Sequence, residues 1–171
     1  MQMVKKTFIV LLATWVALLV FMPKQELYYK LEKELLKKEI KINEKSIEEG
    51  LFSLTVKQAS VYVKGINVAT IEKITFFTLL FYTKIELDSL LLDDSLKAMA
   101  PQQTDKAILT YTILSPLKAR INAEGSFGVV EGSVDLRERK LHLDFNETKE
   151  IGMFRGQLKK EKKGWYYETS F

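Results

Sequence analysis

The chain has no cysteine and one histidine among 171 residues. The first absence excludes disulfides, thiolate metal sites and a cysteine nucleophile. It leaves the compartment open and is compatible with an oxidising one. The histidine, His142, lies between Leu141 and Leu143. Alternation puts it on a polar strand face with Asp144, where it reads as a solvated residue. With no second histidine, neither a metal cluster nor a Ser–His–Asp set can be assembled around it. A strong charge excess is also missing. The net charge is +4, and Lys5 and Lys6 precede the first apolar run. The rest of the chain carries about +2, with basic and acidic residues interleaved, which argues against a nucleic-acid partner. Internal repeats and low-complexity segments are absent. The glycines of EGSFGVVEG, at Gly125, Gly128 and Gly132, do not make a phosphate loop. Their spacing is wrong, no Lys-Ser/Thr follows, and they interrupt a strand pattern, which points to close packing or a bulge.

What remains for acid–base chemistry is three carboxylate pairs: Glu48 with Glu49, Asp93 with Asp94, and Glu86 with Asp88. Each falls in a turn or on a polar strand face and reads as solvated. The sequence therefore supplies no catalytic residue, no metal site and no cofactor site, and the expectation is a protein that is not an enzyme.

What the sequence does have is apolar runs. Residues 7–22 read TFIVLLATWVALLVFM, and 17 residues separate Lys6 from Lys24 without a charge. As a helix this interval is roughly 26 Å long, close to a ~30 Å hydrocarbon core once the flanking lysines snorkel. A cleavable signal peptide needs small residues before its cut site, and this run ends LVFMP. The expectation is an uncleaved anchor at 7–23, with Phe8, Leu12, Trp15 and Leu19 as membrane-anchor residues, behind a cytoplasmic tail at 1–6. Lysine counts alone would place the C-terminal side in the cytoplasm. Long domains translocate largely regardless of charge, however, and a short basic N-tail marks an inside amino terminus. The favoured orientation puts the large domain outside the cytoplasm.

Residues 24–39 follow as a short amphipathic helix. Leu27, Leu31 and Leu35 recur every four residues, with Tyr28 and Leu36 beside them. Packing against its own domain is favoured over self-association, which needs more heptads. From residue 40 the period becomes two. Phe52, Leu54 and Val56 share a face; Ala59, Val61 and Val63 alternate in the opposite phase, which calls for a turn or bulge at Lys57–Gln58. Further alternation runs through AILTYTIL, LKARINAE, FGVVEGSVDL and LHLDF, and QLKKEKKGWYYETSF reads as two strands about a lysine-rich turn. The segment 93–106, DDSLKAMAPQQTDK, reads as the longer loop. The expected fold is mainly β: one antiparallel domain over 40–171, either a curled sheet or a sandwich, with no strand–helix alternation to suggest an α/β enzyme.

The most apolar stretch outside the anchor is ITFFTLLFYTKIELDSLLL, residues 74–92. Its charge-free part, Ile74 to Thr83, is half the length of a spanning helix, and extending it would place Lys84, Glu86 and Asp88 in lipid. It reads instead as strands at 70–78 and 83–91 joined through LLFY. Ile74, Phe76 and Leu80 oppose Phe77, Leu79 and Phe81, so both faces are partly apolar. Such a strand is either covered on both sides or exposes one side to something apolar. Coverage in a core is the favoured reading. The alternative makes Phe76, Phe77, Leu79, Leu80 and Phe81 a lipid- or partner-binding set.

The stretches GLFSLTVKQASVYVKGINVATIEKITFFTLLFYTKIELDSLLL and LTYTILSPLKARINAEGSFGVVEGSVDLRERKLHLDF follow an N-terminal anchor with a G-L-F-x-L strand start, an I-x-x-I strand and a G-x-F-G-x-x-x-G-x-V-D-L hairpin. In these features residues 24–145 resemble the general secretion pathway protein N family of type II secretion and the wider AsmA-like envelope proteins. The resemblance implies a single-pass bacterial inner-membrane protein with a β-rich periplasmic domain. It implies an accessory component of a secretion system acting through other envelope proteins or, alternatively, an AsmA-like module that binds phospholipid in an apolar groove. It carries over no catalytic residue.

Overall fold

The computed structural model describes residues 2–79, 81–96, 101–148, 156, 158–161 and 164–171. Helix α1 spans Gln2–Val20 and helix α2 Lys24–Lys37. Eleven strands follow: β1 Ile40–Asn43, β2 Ser46–Glu49, β3 Ser53–Val63, β4 Ile66–Leu79, β5 Tyr82–Leu92, β6 Gln103–Thr112, β7 Lys118–Gly125, β8 Gly128–Asp135, β9 Lys140–Thr148, β10 Lys159–Glu161 and β11 Gly164–Ser170. All belong to one antiparallel sheet in the order β1-β3-β4-β5-β6-β7-β8-β9-β11-β10, with β2 also pairing with β3. The sheet does not close. Of the two expected β architectures the sandwich is therefore overturned, since no second sheet stacks on the first among the described residues. The mainly β class, the apolar first helix and the short second helix stand.

Several boundaries differ from the sequence reading: α2 stops at Lys37 rather than at 39, and the strand expected over 70–78 runs Ile66–Leu79. Helix α1 already begins at Gln2, so most of the expected tail is helical and carries Lys5 and Lys6 on the helix. It ends at Val20, because Pro23 holds the junction out of helical geometry before α2 starts. Strand β6 begins at Gln103 rather than after Lys106, because Gln103 and Thr104 pair with Leu91 and Leu90. Strand β2, which alternation alone does not reveal in its glutamates, forms by pairing with the β3 segment Leu54–Lys57.

Strand register explains the change of phase in the sequence. Following the partners outward from Lys45, positions 45, 58, 72, 89 and 105 lie opposite one another on five neighbouring strand paths, and none of the five is a paired position. Gln58 and Ser89 adopt positive φ, +50° and +52°. The residues are Lys45, Gln58, Glu72, Ser89 and Asp105, all polar. The line is a transverse crease. On either side of it the inward residue shifts by one place, so Val56 and Ala59, or Ile74 and Ile71, both point to the same core. The bulge expected at Lys57–Gln58 is thus one member of a row, and β3 continues through it.

Helix α2 lies against β1, β2 and β3. Tyr28 is its one buried residue, joining Leu54, Val56, Ala59, Ile71 and Ile74 in the main core; Val56 is 0% exposed. The leucine row was expected to dock, yet Leu27 and Leu31 stay exposed. The tyrosine, one residue along from Leu27, reaches the sheet instead. Its ring lies 6.5 Å from that of Phe76, and its Oη reaches Glu44 at 3.4 Å. Burial and then the nearby Glu44 push the phenol pKa up, so it stays a neutral donor. A second core forms at the far flank from Phe127, Val130, Phe145 and Leu158. Gly132 belongs to this region for a steric reason: a Cβ there would collide with the His142 carbonyl and Leu143.

Candidate functional site

In an antiparallel sheet, residues paired directly across strands point to the same face. Two transverse rows can therefore be read from the register. One is Leu54, Phe76, Ile85, Leu109, Ile121, Gly132, Leu143 and Tyr167; the other is Val56, Ile74, Leu87, Ala107, Ala123, Val130, Phe145 and Trp165. Each crosses eight strands with no charged side chain. The opposite face is different in kind. There Glu86 sits between Lys84 and Lys106, each at 2.5 Å; Lys73 meets Asp88 at 2.9 Å; Lys57 meets Glu48 at 2.6 Å. His142 lies 3.1 Å from Asp144 and stacks on Tyr166, on the polar face as alternation predicts. The Lys106 and Lys84 hydrogen bonds hold the Glu86 carboxyl at about 2, well below its ordinary value.

Among the described residues the apolar face is capped at both flanks and less covered between them. Helix α2 covers one flank, and Phe127 with Leu158 covers the other, where Val130 of β8 is buried. On β5 to β7, Ile85, Leu87, Ala107, Leu109 and Ile121 remain only partly buried. Where α1 meets α2, the face opens into a cavity of about 190 Å³ lined by Leu19, Met22, Lys24, Leu27, Tyr28, Leu31, Phe52, Leu54, Phe76 and Thr78. Apolar side chains dominate this lining, and Lys24, paired with Glu49 at 3.5 Å, is its cation.

The residues singled out from 74–92 do not form one surface. Phe76 lines the cavity on the apolar face. Phe77, one residue on, points to the polar face and meets Tyr82 edge-on at 6.4 Å. Leu79 and Phe81 are exposed at the β4–β5 turn, where Phe81 lies 6.1 Å from Trp15 of α1. Leu80 lies outside the described residues. Of the anchor residues, Phe8 and Leu12 are exposed, Trp15 meets Phe81, and Leu19 turns into the cavity. The window Met3–Val20 has a mean hydropathy of 1.9 and is 0% buried, so by length and composition it is a candidate membrane span.

The carboxylate pairs are occupied by neighbours rather than aimed into a cleft. Glu48, Glu49, Glu86 and Asp88 each meet a lysine, Asp93 accepts from Ser95, and Asp94 accepts from Gln102. No group of three potential metal ligands occurs among the described residues. Sequence reasoning missed Tyr28 as the docking residue and missed the two rows. Alternation in each strand signalled them, but assembling them needs the register.

Comparison of the chain with protein-family models, with curated proteins and with solved structures gives no match. The class is therefore defined by the fold itself: an open antiparallel meander with one ion-paired face and one apolar face, joined to a helix able to cross a membrane.

Proposed function

We propose that this protein is a membrane-tethered binder of acyl chains, in which α1 crosses a bacterial inner membrane and the β domain sits on the periplasmic side. The observation that carries the reading is the pair of apolar rows that the described residues leave only partly buried on β5 to β7, between two capped flanks. Burial of the remaining apolar area would be worth about 25 cal/mol per Å². Across strands at ~4.8 Å each, the partly buried part of the rows spans about 10 Å from β5 to β7, room for part of an acyl chain. The cavity beside Leu19 joins this face to the end of the anchor, and Lys24 there suits an anionic headgroup.

The secretion-accessory reading ranks second. It rests on the same anchor, which concentrates the domain among other membrane proteins, and on the outer edges of β1, β2 and β10 as sites for strand addition. Those strands are three or four residues long and carry lysines and glutamates, the features by which sheets refuse added strands.

The test is photo-crosslinking of the full chain in membranes with a photoactivatable fatty acyl phospholipid, followed by peptide mapping and native mass spectrometry. Adducts on Leu109 and Ile121, lost in a Leu109→Glu/Ile121→Glu variant, are expected. Adducts confined to α1, with no copurifying lipid, overturn the acyl-chain reading; capture of an envelope protein on the same face then favours the second.

A further inference from the structure

Adjacent turns of an antiparallel meander fall at alternate ends of the sheet. Of the described residues, one end holds 64–65, 93–96, 101–102 and 126–127. The other holds 50–52, Phe81, 113–117 and 136–139, together with Phe171. Among the described residues, the exposed large apolar side chains of the sheet are divided unevenly between the two. Leu51, Phe81, Leu114, Leu117, Leu136 and Phe171 all stand at the second end, with Leu114 91% exposed. At the first end the described loops present Lys64, Asp93, Asp94 and Ser95, and Ile66 and Leu91 are its large exposed apolar residues. Single exposed leucines need no explanation; collection at one end does.

The second end is also one ledge. Backbone hydrogen bonds run from Thr78 N to Phe52 O, Ile113 N to Phe81 O, Leu136 N to Leu117 O and Phe171 N to Arg139 O, all 2.8–3.0 Å. It is the end from which α1 leaves, because Phe81 touches Trp15 and Phe52 shares the cavity with Leu19. Trp15 lies five residues before the helix end at Val20, which places it about 7.5 Å inward along the axis. Interfacial segments bury their apolar face about 5–10 Å into the headgroup–acyl boundary. A side chain in contact with Trp15 is therefore already at that depth. Arg137 and Arg139 stand in the same turns, where basic residues meet anionic headgroups, while Lys118 and Lys140 beside them pair with Asp135 and Glu138.

We infer that this ledge of turns is a membrane-contacting rim: its occupant is the interfacial layer of the bilayer that holds α1, and the sheet stands on the membrane by this end. The inference rests on the reading of α1 as a membrane span and deepens the proposed function, since the apolar strip then opens onto lipid at its lower end.

The cysteine-free chain allows a direct test. Single substitutions Leu114→Cys, Leu136→Cys, Ile66→Cys and Leu12→Cys, each carrying an environment-sensitive fluorophore, are reconstituted as full chains in phosphatidylcholine–phosphatidylglycerol vesicles containing acyl-brominated lipid. Quenching by bromine at 114 and 136 is expected to exceed that at 66 by roughly twofold or more, with blue-shifted emission. Quenching at 12 with none at 114 and 136 overturns the rim and leaves the anchor standing. Quenching at none of the four overturns both. Equal quenching at 66 and 114 overturns the end-on orientation. None of these outcomes depends on whether an acyl chain occupies Leu109 and Ile121, so failure of the rim and failure of the lipid strip are separable.

Discussion

The α2-covered flank of the sheet and its bare middle carry the same two rows of apolar side chains, yet bury them to different depths. On β3 and β4, Leu54, Val56 and Ile74 lie under Tyr28 and are buried. On β5 to β7, Leu87, Leu109 and Ile121 occupy the same rows and are only partly buried. The strands do not differ in pattern. The difference is the presence of a covering element among the described residues, and it teaches that the same alternation can be buried deeply or only in part.

That comparison can be broken most sharply by truncating one residue in each zone. Leu54→Ala removes a side chain from a closed core and is expected to cost about 2–4 kcal/mol, whereas Leu109→Ala, in the open zone, costs about 1 kcal/mol or less. Denaturant unfolding of the full chain in detergent checks both. Equal losses would show that the middle is as closed as the flank. Gly132→Ala comes next. Its new Cβ would meet the His142 carbonyl of the neighbouring strand, and overpacking of this kind costs about 1–3 kcal/mol. A neutral result, read as an unchanged midpoint, would mean that β8 and β9 separate easily.

A smaller effect with the opposite sign is expected at the crease. Gln58 holds φ +50°, so Gln58→Gly relieves left-handed strain and is expected to be neutral or stabilising by up to about 1 kcal/mol, while Gln58→Val destabilises. Destabilisation by glycine would show that the side chain, not the backbone, sets the crease. The smallest effect concerns the polar face. Glu86 is held at about 2 against an ordinary 4.5. Its contribution to stability is therefore complete above pH 4.5, falls as the pH drops through that window and is gone below about 2. Glu86→Gln should flatten this part of the acid-unfolding profile and leave the profile near neutrality less changed by salt. An unaltered profile would remove Lys84 and Lys106 as its cause.

Much of the architecture is legible in residue order. The charge-free run before Lys24 marks α1, the spacing of Leu27 to Leu35 marks α2, and period-two alternation marks the long strands. The phase change between Val56 and Ala59 locates one point of the crease. The rest depends on pairing. Glu72 and Asp105 look like ordinary polar strand or loop residues until the register sets them beside Gln58 and Ser89. Phe76 and Phe77 are adjacent in the chain and both apolar, and only the pleat sends one to the cavity and the other to the ion-paired face. Leu51, Leu114 and Leu136 are far apart in the chain and stand at the same end of the sheet because alternate turns collect there.

Residue order by itself determined the apolar helix, the β class and the absence of cysteine, since these follow from composition and local period. Tertiary structure alone decided that the strands form one unclosed sheet, that Tyr28 rather than the leucines docks the second helix, and that the described residues leave the apolar rows on β5 to β7 only partly buried. The physical reason is that alternation specifies two faces for each strand but says nothing of what, if anything, will lie over them.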